Sequence, residues 1–160
     1  PRSASPALVY AIARQESSFD PRAQSSAGAK GLMQMLPSTA RRTAQRAGAA
    51  FDEKRLLSEP EFNAQLGAAH LGELMEEQPG SLMLTFAAYN AGGRRVKEWI
   101  AAYGDPRDPN VDPIDWVERI PFTETRNYVQ RVAENLEIYR LRLGESTTLD
   151  IESTLRSAAR

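Results

Sequence analysis

Glu16 is the residue of this 160-residue chain best placed to do acid–base chemistry. It stands seven residues after Val9, four after Ile12 and three after Ala13, so on a helix all four share one face. A carboxyl on an apolar stripe is shielded from water, and the last turn of a helix presents the negative end of its dipole. Both effects disfavour the charged form, so the pKa of Glu16 is expected to be raised, as suits a general acid. Spacing alone leaves a second arrangement open, in which Glu16 turns sideways to solvent or pairs with an arginine. The remaining inventory narrows the chemistry. With no cysteine, disulfides, thiolate metal sites and cysteine nucleophiles are excluded, and a single histidine, His70, rules out a histidine-rich metal site. Carboxylates are left to carry the chemistry, with no metal and no cofactor expected. Asp20, the nearest other acid, sits in a Phe-Asp-Pro corner and reads as a turn residue bonded to the backbone.

The element that must hold Glu16 begins at Ser5, an N-cap serine followed by Pro6 at the first helical position, and should stop near Asp20 and Pro21. Residues 22 to 36, with Gly28 and Gly31, read as a loop or small hairpin leading to a helix that Pro37 starts and Gly48 stops. Ser58 and Glu61 form a capping-box pattern ahead of a helix to about Gln78, and Ser81 caps the next, which breaks at Gly92 and Gly93. A short helix with Val96, Trp99 and Ile100 precedes a loop over 104 to 113, and Asp112 and Pro113 start a brief helix through Glu118. Thr123 is expected to cap a long one with the stripe Tyr128, Val129, Val132, Leu136, Tyr139 and Leu143, ended by Gly144. No alternating strand pattern of any length occurs. The expected fold is therefore mainly α, a helical globule with at most a small β-hairpin.

The chain has 41% hydrophobic and 26% charged residues, enough for one compact domain over 1–144, followed by a tail over 145–160 expected to be mobile. Twenty basic against 21 acidic residues give a net charge of −1, which offers no basis for binding nucleic acid or an anionic membrane. There is no apolar run long enough for a transmembrane segment and no signal-peptide pattern. A start at Pro1 is expected of a processed protein or of a piece of a longer one, with additional domains outside this chain.

Four segments then occur in order: ESSFDP at 16 to 21, GLMQMLP at 31 to 37, AYNAG at 88 to 92 and IPFTETRNYV at 120 to 129. Together, over about residues 6 to 140, they resemble the catalytic domain of the soluble lytic murein transglycosylases. These are the family 1 enzymes of the lysozyme-like superfamily, related in fold to goose-type lysozyme. The resemblance implies a carbon–oxygen lyase acting on peptidoglycan, in which Glu16 protonates the β-1,4 glycosidic oxygen between N-acetylmuramic acid and N-acetylglucosamine. The same residue would then take the proton from the muramyl C6 hydroxyl, which attacks C1 and closes a 1,6-anhydro ring. An ordinary glycosidase needs two carboxylates about 5 to 9.5 Å apart. The resemblance implies that this chain needs one.

It also implies the surroundings of that group. Ser25 and Gln34 would lie beside the muramyl residue and hydrogen-bond its hydroxyl and acetamido groups. Leu36 stands where relatives often carry a methionine that packs on the sugar, and His70 where they often carry a tyrosine. Tyr89 would offer a flat apolar face to a pyranose, although Phe86 three residues back leaves a core role open. Asn90 would contact the groove or, on its own chemistry, cap the helix end and hold the loop. Glu124 would bind the stem peptide, while its place at a helix start is explained equally by the dipole. Tyr128 would approach and orient Glu16, and it also fits the core stripe. Arg126 and Thr39 could meet the peptide as well, although a helix arginine is most often solvated. Met33 reads as core. The partners implied are a peptidoglycan glycan strand and its stem peptide, and a periplasmic or otherwise extracytoplasmic site follows from that substrate. Two other readings fit parts of the pattern: a hydrolytic goose-type lysozyme, and a non-catalytic peptidoglycan-binding module.

Overall fold

Every regular element among residues 4–146 and 149–156, which the computed structural model describes, is a helix. The small hairpin is reduced to two isolated antiparallel bridges, Gln24 with Lys30 and Lys30 with Met35. The chain divides within one helix into two compact units, residues 1–73 and 74–160.

In the first unit, α1 (Pro6–Ser17) starts as its sequence predicts, with the Ser5 hydroxyl accepting the Leu8 N–H at 3.4 Å, and buries Ala7, Leu8, Ala11, Ile12 and Ala13. Pro37 opens α2 (Pro37–Arg46), and Gly48 takes the left-handed φ of 68° just beyond its end. A single turn, α3 (Arg55–Ser58), precedes α4 (Pro60–Glu77). Here the predicted capping box fails: Ser58 is the last residue of α3, and its hydroxyl donates back to the Lys54 carbonyl at 3.0 Å. The start of α4 falls to Pro60, whose fixed φ and missing N–H suit a first helical position. Met35, Ala40, Ala44, Leu56, Phe62 and Leu66 form one buried cluster with Phe51 packed against it. The Arg55 guanidinium covers the Phe62 ring at 3.8 Å from its centroid. Such stacking keeps the cation wet while its plane shields the ring.

The second unit is built on α5 (Leu82–Ala91), in which all seven residues from Leu82 to Ala88 are buried. An element apolar all round must be covered on every side, and α6 (Gly93–Tyr103), α8 (Thr123–Arg142) and α9 (Ile151–Arg156) pack on it. The brief α7 (Pro113–Glu118) is capped by Asp112, whose Oδ1 accepts the Ile114 and Asp115 N–H groups at 2.8 and 3.0 Å. Thr123 does not cap α8 as expected: it is already helical, and Phe122 stands at the cap with no side-chain bond. The junction is held instead by Arg126, which donates to the Ile120 carbonyl at 3.1 Å and to the Thr123 hydroxyl at 3.3 Å. Arg126 is thus a structural brace where a solvated arginine was expected.

The expected tail also differs. Within it α9 forms a helix against α5, α7 and α8, with Thr154 and Leu155 buried. Its anchor is Glu137 of α8, itself buried, which accepts the Asp150 N–H at 2.7 Å and the Thr154 hydroxyl. Residues 147–148 and 157–160 of that stretch lie outside the described residues.

Candidate active site

Glu16 occupies the last turn of α1 and is half-buried. The backbone just beyond it is unusual. Ser18 and Phe19 both take left-handed φ values, 51° and 65°, and Gln34 takes 50°. Among the described residues these are the non-glycine positions with positive φ, and all three fall between residues 18 and 34. Each costs about 1–2 kcal/mol of steric conflict in a residue with a Cβ, and strain of this kind gathers where geometry serves function. The chain reverses sharply after Glu16 and comes back along the loop 22–36. Ser17 ties the two together, its hydroxyl placed 2.7 Å from the Leu32 carbonyl and 3.1 Å from that of Ala13.

The loop is cross-linked by its own hydrogen bonds. The Ser25 hydroxyl accepts the Ala29 N–H at 3.1 Å, with Gly28 at φ 86° completing the turn. The Gln34 amide Nε2 donates to the carbonyls of Ala23 and Gly31, both at 3.0 Å. These two residues, expected as sugar ligands, therefore hold the loop through the Ser25 hydroxyl and the Gln34 Nε2, leaving the Gln34 carbonyl oxygen and the exposed Ser25 side for other partners. Met33 is fully buried as expected, and Leu36 is 41% exposed, an apolar side chain left open beside the loop.

Beneath the loop lies a residue that sequence reasoning missed. Asn63 of α4 is fully buried and uses its whole amide on the loop: Oδ1 accepts the Met33 N–H at 2.9 Å, and Nδ2 donates to the carbonyls of Lys30 at 2.7 Å and Leu56 at 3.0 Å. Gly31 has φ 79°, and a Cβ there would overlap the Asn63 side chain. At Gly67, one turn on from Asn63, a Cβ would overlap Met33. Its place between Phe62 and Leu66, on a helix that also carries Gly67, marks it as facing inward but does not name its partners. His70 follows on α4, half-buried, with Nδ1 3.5 Å from the Glu73 carboxylate, which also accepts the buried Thr43 hydroxyl at 3.2 Å and faces Arg46 at 3.5 Å. It is therefore part of a polar cluster, not a solvated surface histidine.

In the second unit Tyr89 is half-buried near the end of α5, whereas Phe86 behind it is fully buried, so the core role belongs to Phe86. Asn90 caps no helix: it lies within α5, and its side chain crosses to α8. Its Oδ1 accepts the Thr125 hydroxyl at 2.7 Å and its Nδ2 donates to Glu124 at 3.4 Å. Glu124 is exposed in the first turn of α8, where the dipole favours an acid. Tyr128, one turn later, is buried. Thr39 is half-buried on α2. Among the described residues no group of three or more histidines and carboxylates gathers to hold a metal ion.

Known proteins are similar to this chain in both sequence and structure. Residues 2–111 match the family described as the transglycosylase SLT domain, and residues 119–147 match the soluble lytic transglycosylase helical domain. The chain is 36% identical over 142 residues to the soluble lytic murein transglycosylase of Escherichia coli K12, covering 88% of this chain and 21% of that protein. The crystal structure of the 70 kDa soluble lytic transglycosylase from Escherichia coli is similar with a TM-score of 0.81 at 35% identity, over 98% of this chain and 24% of that one. An inactive glutamate-to-glutamine variant of the lytic transglycosylase Slt from Pseudomonas aeruginosa is similar with a TM-score of 0.79 at 38% identity, over 88% of this chain and 22% of that one. The chain thus spans about a fifth to a quarter of the length of these relatives.

Proposed function

The chain belongs to the transglycosylase SLT domain family, with the lysozyme-like helical fold of its structural relatives, and from that premise we propose that it is a peptidoglycan lytic transglycosylase with Glu16 as its acid and base. The observation that carries this reading is the placement of Glu16. It is a half-buried carboxyl in the matched region, on the last turn of α1, followed by a strained reversal that Ser17 fastens to the loop 22–36. A group that must give up a proton and take one back needs a fixed position more than it needs a partner acid.

In the first step the Glu16 carboxyl donates its proton to the glycosidic oxygen as the bond from muramyl C1 breaks, and the N-acetylglucosamine leaves with its hydroxyl. In the second, the Glu16 carboxylate removes the proton of the C6 hydroxyl, whose oxygen bonds to C1. The residue ends as it began, and no water is consumed. Leu36 and Tyr89 supply apolar surface for the sugars, and Ser25, Gln34 and His70 polar contacts. Asn90 acts as a positioning residue, holding Glu124 toward the stem peptide. A substrate of this kind lies outside the cytoplasm, which sets the site of action. Among the described residues no helix is long and apolar enough to cross a membrane.

Mass spectrometry of muropeptides released from purified sacculi tests the reading. Products lighter by one water than hydrolysed muropeptides are expected from the wild-type chain, and none from Glu16→Gln, which preserves the shape and removes the proton. Hydrolysed products with reducing ends would assign a lysozyme, and binding without any product a non-catalytic module.

A further inference from the structure

The end of α6, the loop after it and α7 border an open cavity of about 260 Å³ whose residues take no part in the proposed transglycosylase chemistry. One wall is Trp116, buried, its indole N–H fixed to the Gly104 carbonyl at 2.9 Å. The loop is braced residue by residue: Arg107 pairs with Asp105 at 2.6 Å, and Asp108 accepts both the backbone and the side-chain N–H of Asn110, at 2.8 and 3.1 Å. These bonds fix Trp116 and Asn110 of the lining to the loop behind them.

Its charged residues Asp112, Asp115 and Arg119 are all exposed and have no side-chain partners among the described residues. Asp115 and Arg119 stand one turn apart, joined through the backbone by the Arg119 N–H on the Asp115 carbonyl at 3.1 Å. At the same spacing Arg55 closes on Glu59 at 2.9 Å, Arg156 on Glu152 at 3.4 Å and Arg94 on Glu98 at 3.6 Å. Asp115 and Arg119 do not pair with each other, nor with any other side chain among the described residues, and both line the cavity. Asp112 beside them has spent Oδ1 on the α7 backbone, and its Oδ2 makes no bond among the described residues. An anion and a cation left open in one small cavity complement a ligand that carries both signs on adjacent atoms. An ammonium offers three donors to carboxylates, and a guanidinium takes a carboxylate through its fork. The volume lies below the roughly 300–1,000 Å³ of sites that enclose drug-sized molecules, which suits a single amino-acid head and not a disaccharide.

We propose that this cavity binds a zwitterionic α-amino-acid group, its ammonium on Asp115 and Asp112 and its carboxylate on Arg119. The proposal rests on the peptidoglycan reading only for the ligand's source, a stem peptide whose diamino acid keeps one amine free together with the carboxylate on the same carbon. The test is a titration of the isotopically labelled wild-type chain, followed by backbone amide NMR, with three probes: a stem tripeptide ending in such a diamino acid, the same peptide amidated on that carboxylate, and diaminopimelate alone. Shifts confined to residues 103–119 are expected with the free-ended peptide. Amidation, Arg119→Gln and Asp115→Asn should each weaken binding about tenfold or more, the loss of one charge-assisted bond, with folding unchanged by circular dichroism. Diaminopimelate binding as tightly as the peptide supports the site and assigns it to a free amino acid. Absence of shifts at 103–119, or equal binding by the variants, overturns the proposal. Digestion of sacculi by the same preparation keeps the two readings apart: a chain that digests sacculi but shows no shifts loses only the cavity proposal, and one that shows the shifts without digestion loses only the enzymatic reading.

Discussion

Asn63 concentrates on one amide what holds the loop beside Glu16. Three backbone groups, from Met33, Lys30 and Leu56, depend on it in a buried place, and a buried donor or acceptor left unmade costs about 1–3 kcal/mol. Asn63→Ala is therefore expected to lower stability by about 3 kcal/mol, water recovering part of the loss, as measured by denaturant unfolding. The half-buried position of Glu16 was legible from the sequence because its spacing placed it with Ile12 and Ala13, both buried on α1. Asn63 was not, since an isolated asparagine in a helix gives no sign of which backbone it will meet 30 residues away. The same limit applies to Asn90, whose chemistry suggested a helix cap and whose partners turned out to be Thr125 and Glu124, 35 and 34 residues on.

Element boundaries were readable where a local rule had no competitor. Ser5, Ser81 and Asp112 cap as expected because each precedes a helix with nothing else to bond. Ser58 and Thr123 fail because the residue that matters is set by a neighbour: the turn of α3 absorbs Ser58, and Arg126 braces the entry to α8. The end of α1 runs against propensity, with Ser18 in the left-handed region that glycine prefers and its N–H still bonded to the Arg14 carbonyl. Ser18→Gly should raise the free energy of unfolding, by about 1 kcal/mol at most once the added freedom of the unfolded chain is counted, as read by denaturant unfolding. A large loss of activity with that gain would indicate that the strain serves Glu16. The loop after α6 carries a pH dependence of known sign. The Arg107 guanidinium bonded to Asp105 holds that carboxyl below its usual range, against the upward push of partial burial. A lowered folded pKa means that the pair stabilises above the ordinary aspartate range and is lost as pH falls through the lowered value. With the Asp105 side chain 37% exposed, the contribution is small. The backbone amide of Arg107 should titrate by NMR with a midpoint below that of free aspartate, and a midpoint at or above it would contradict the pairing.

At the scale of the whole chain, the helical class was legible because no alternating pattern competes with the 3.6-residue one, and the four ordered motifs pointed to the family that the comparisons bear out. What composition hid was the tail: α9 gives little pattern of its own in six residues, and it docks because the buried Glu137 receives it. The division into two units was hidden as well, since both are helical and share α4 across the boundary. That one carboxyl acts twice, and water not at all, is tested most directly by digesting sacculi in water enriched in heavy oxygen and reading the products by mass. Anhydromuramyl products without label are predicted from the wild-type chain, and no products from Glu16→Gln. Labelled muramyl ends, or equal turnover by the variant, would contradict it.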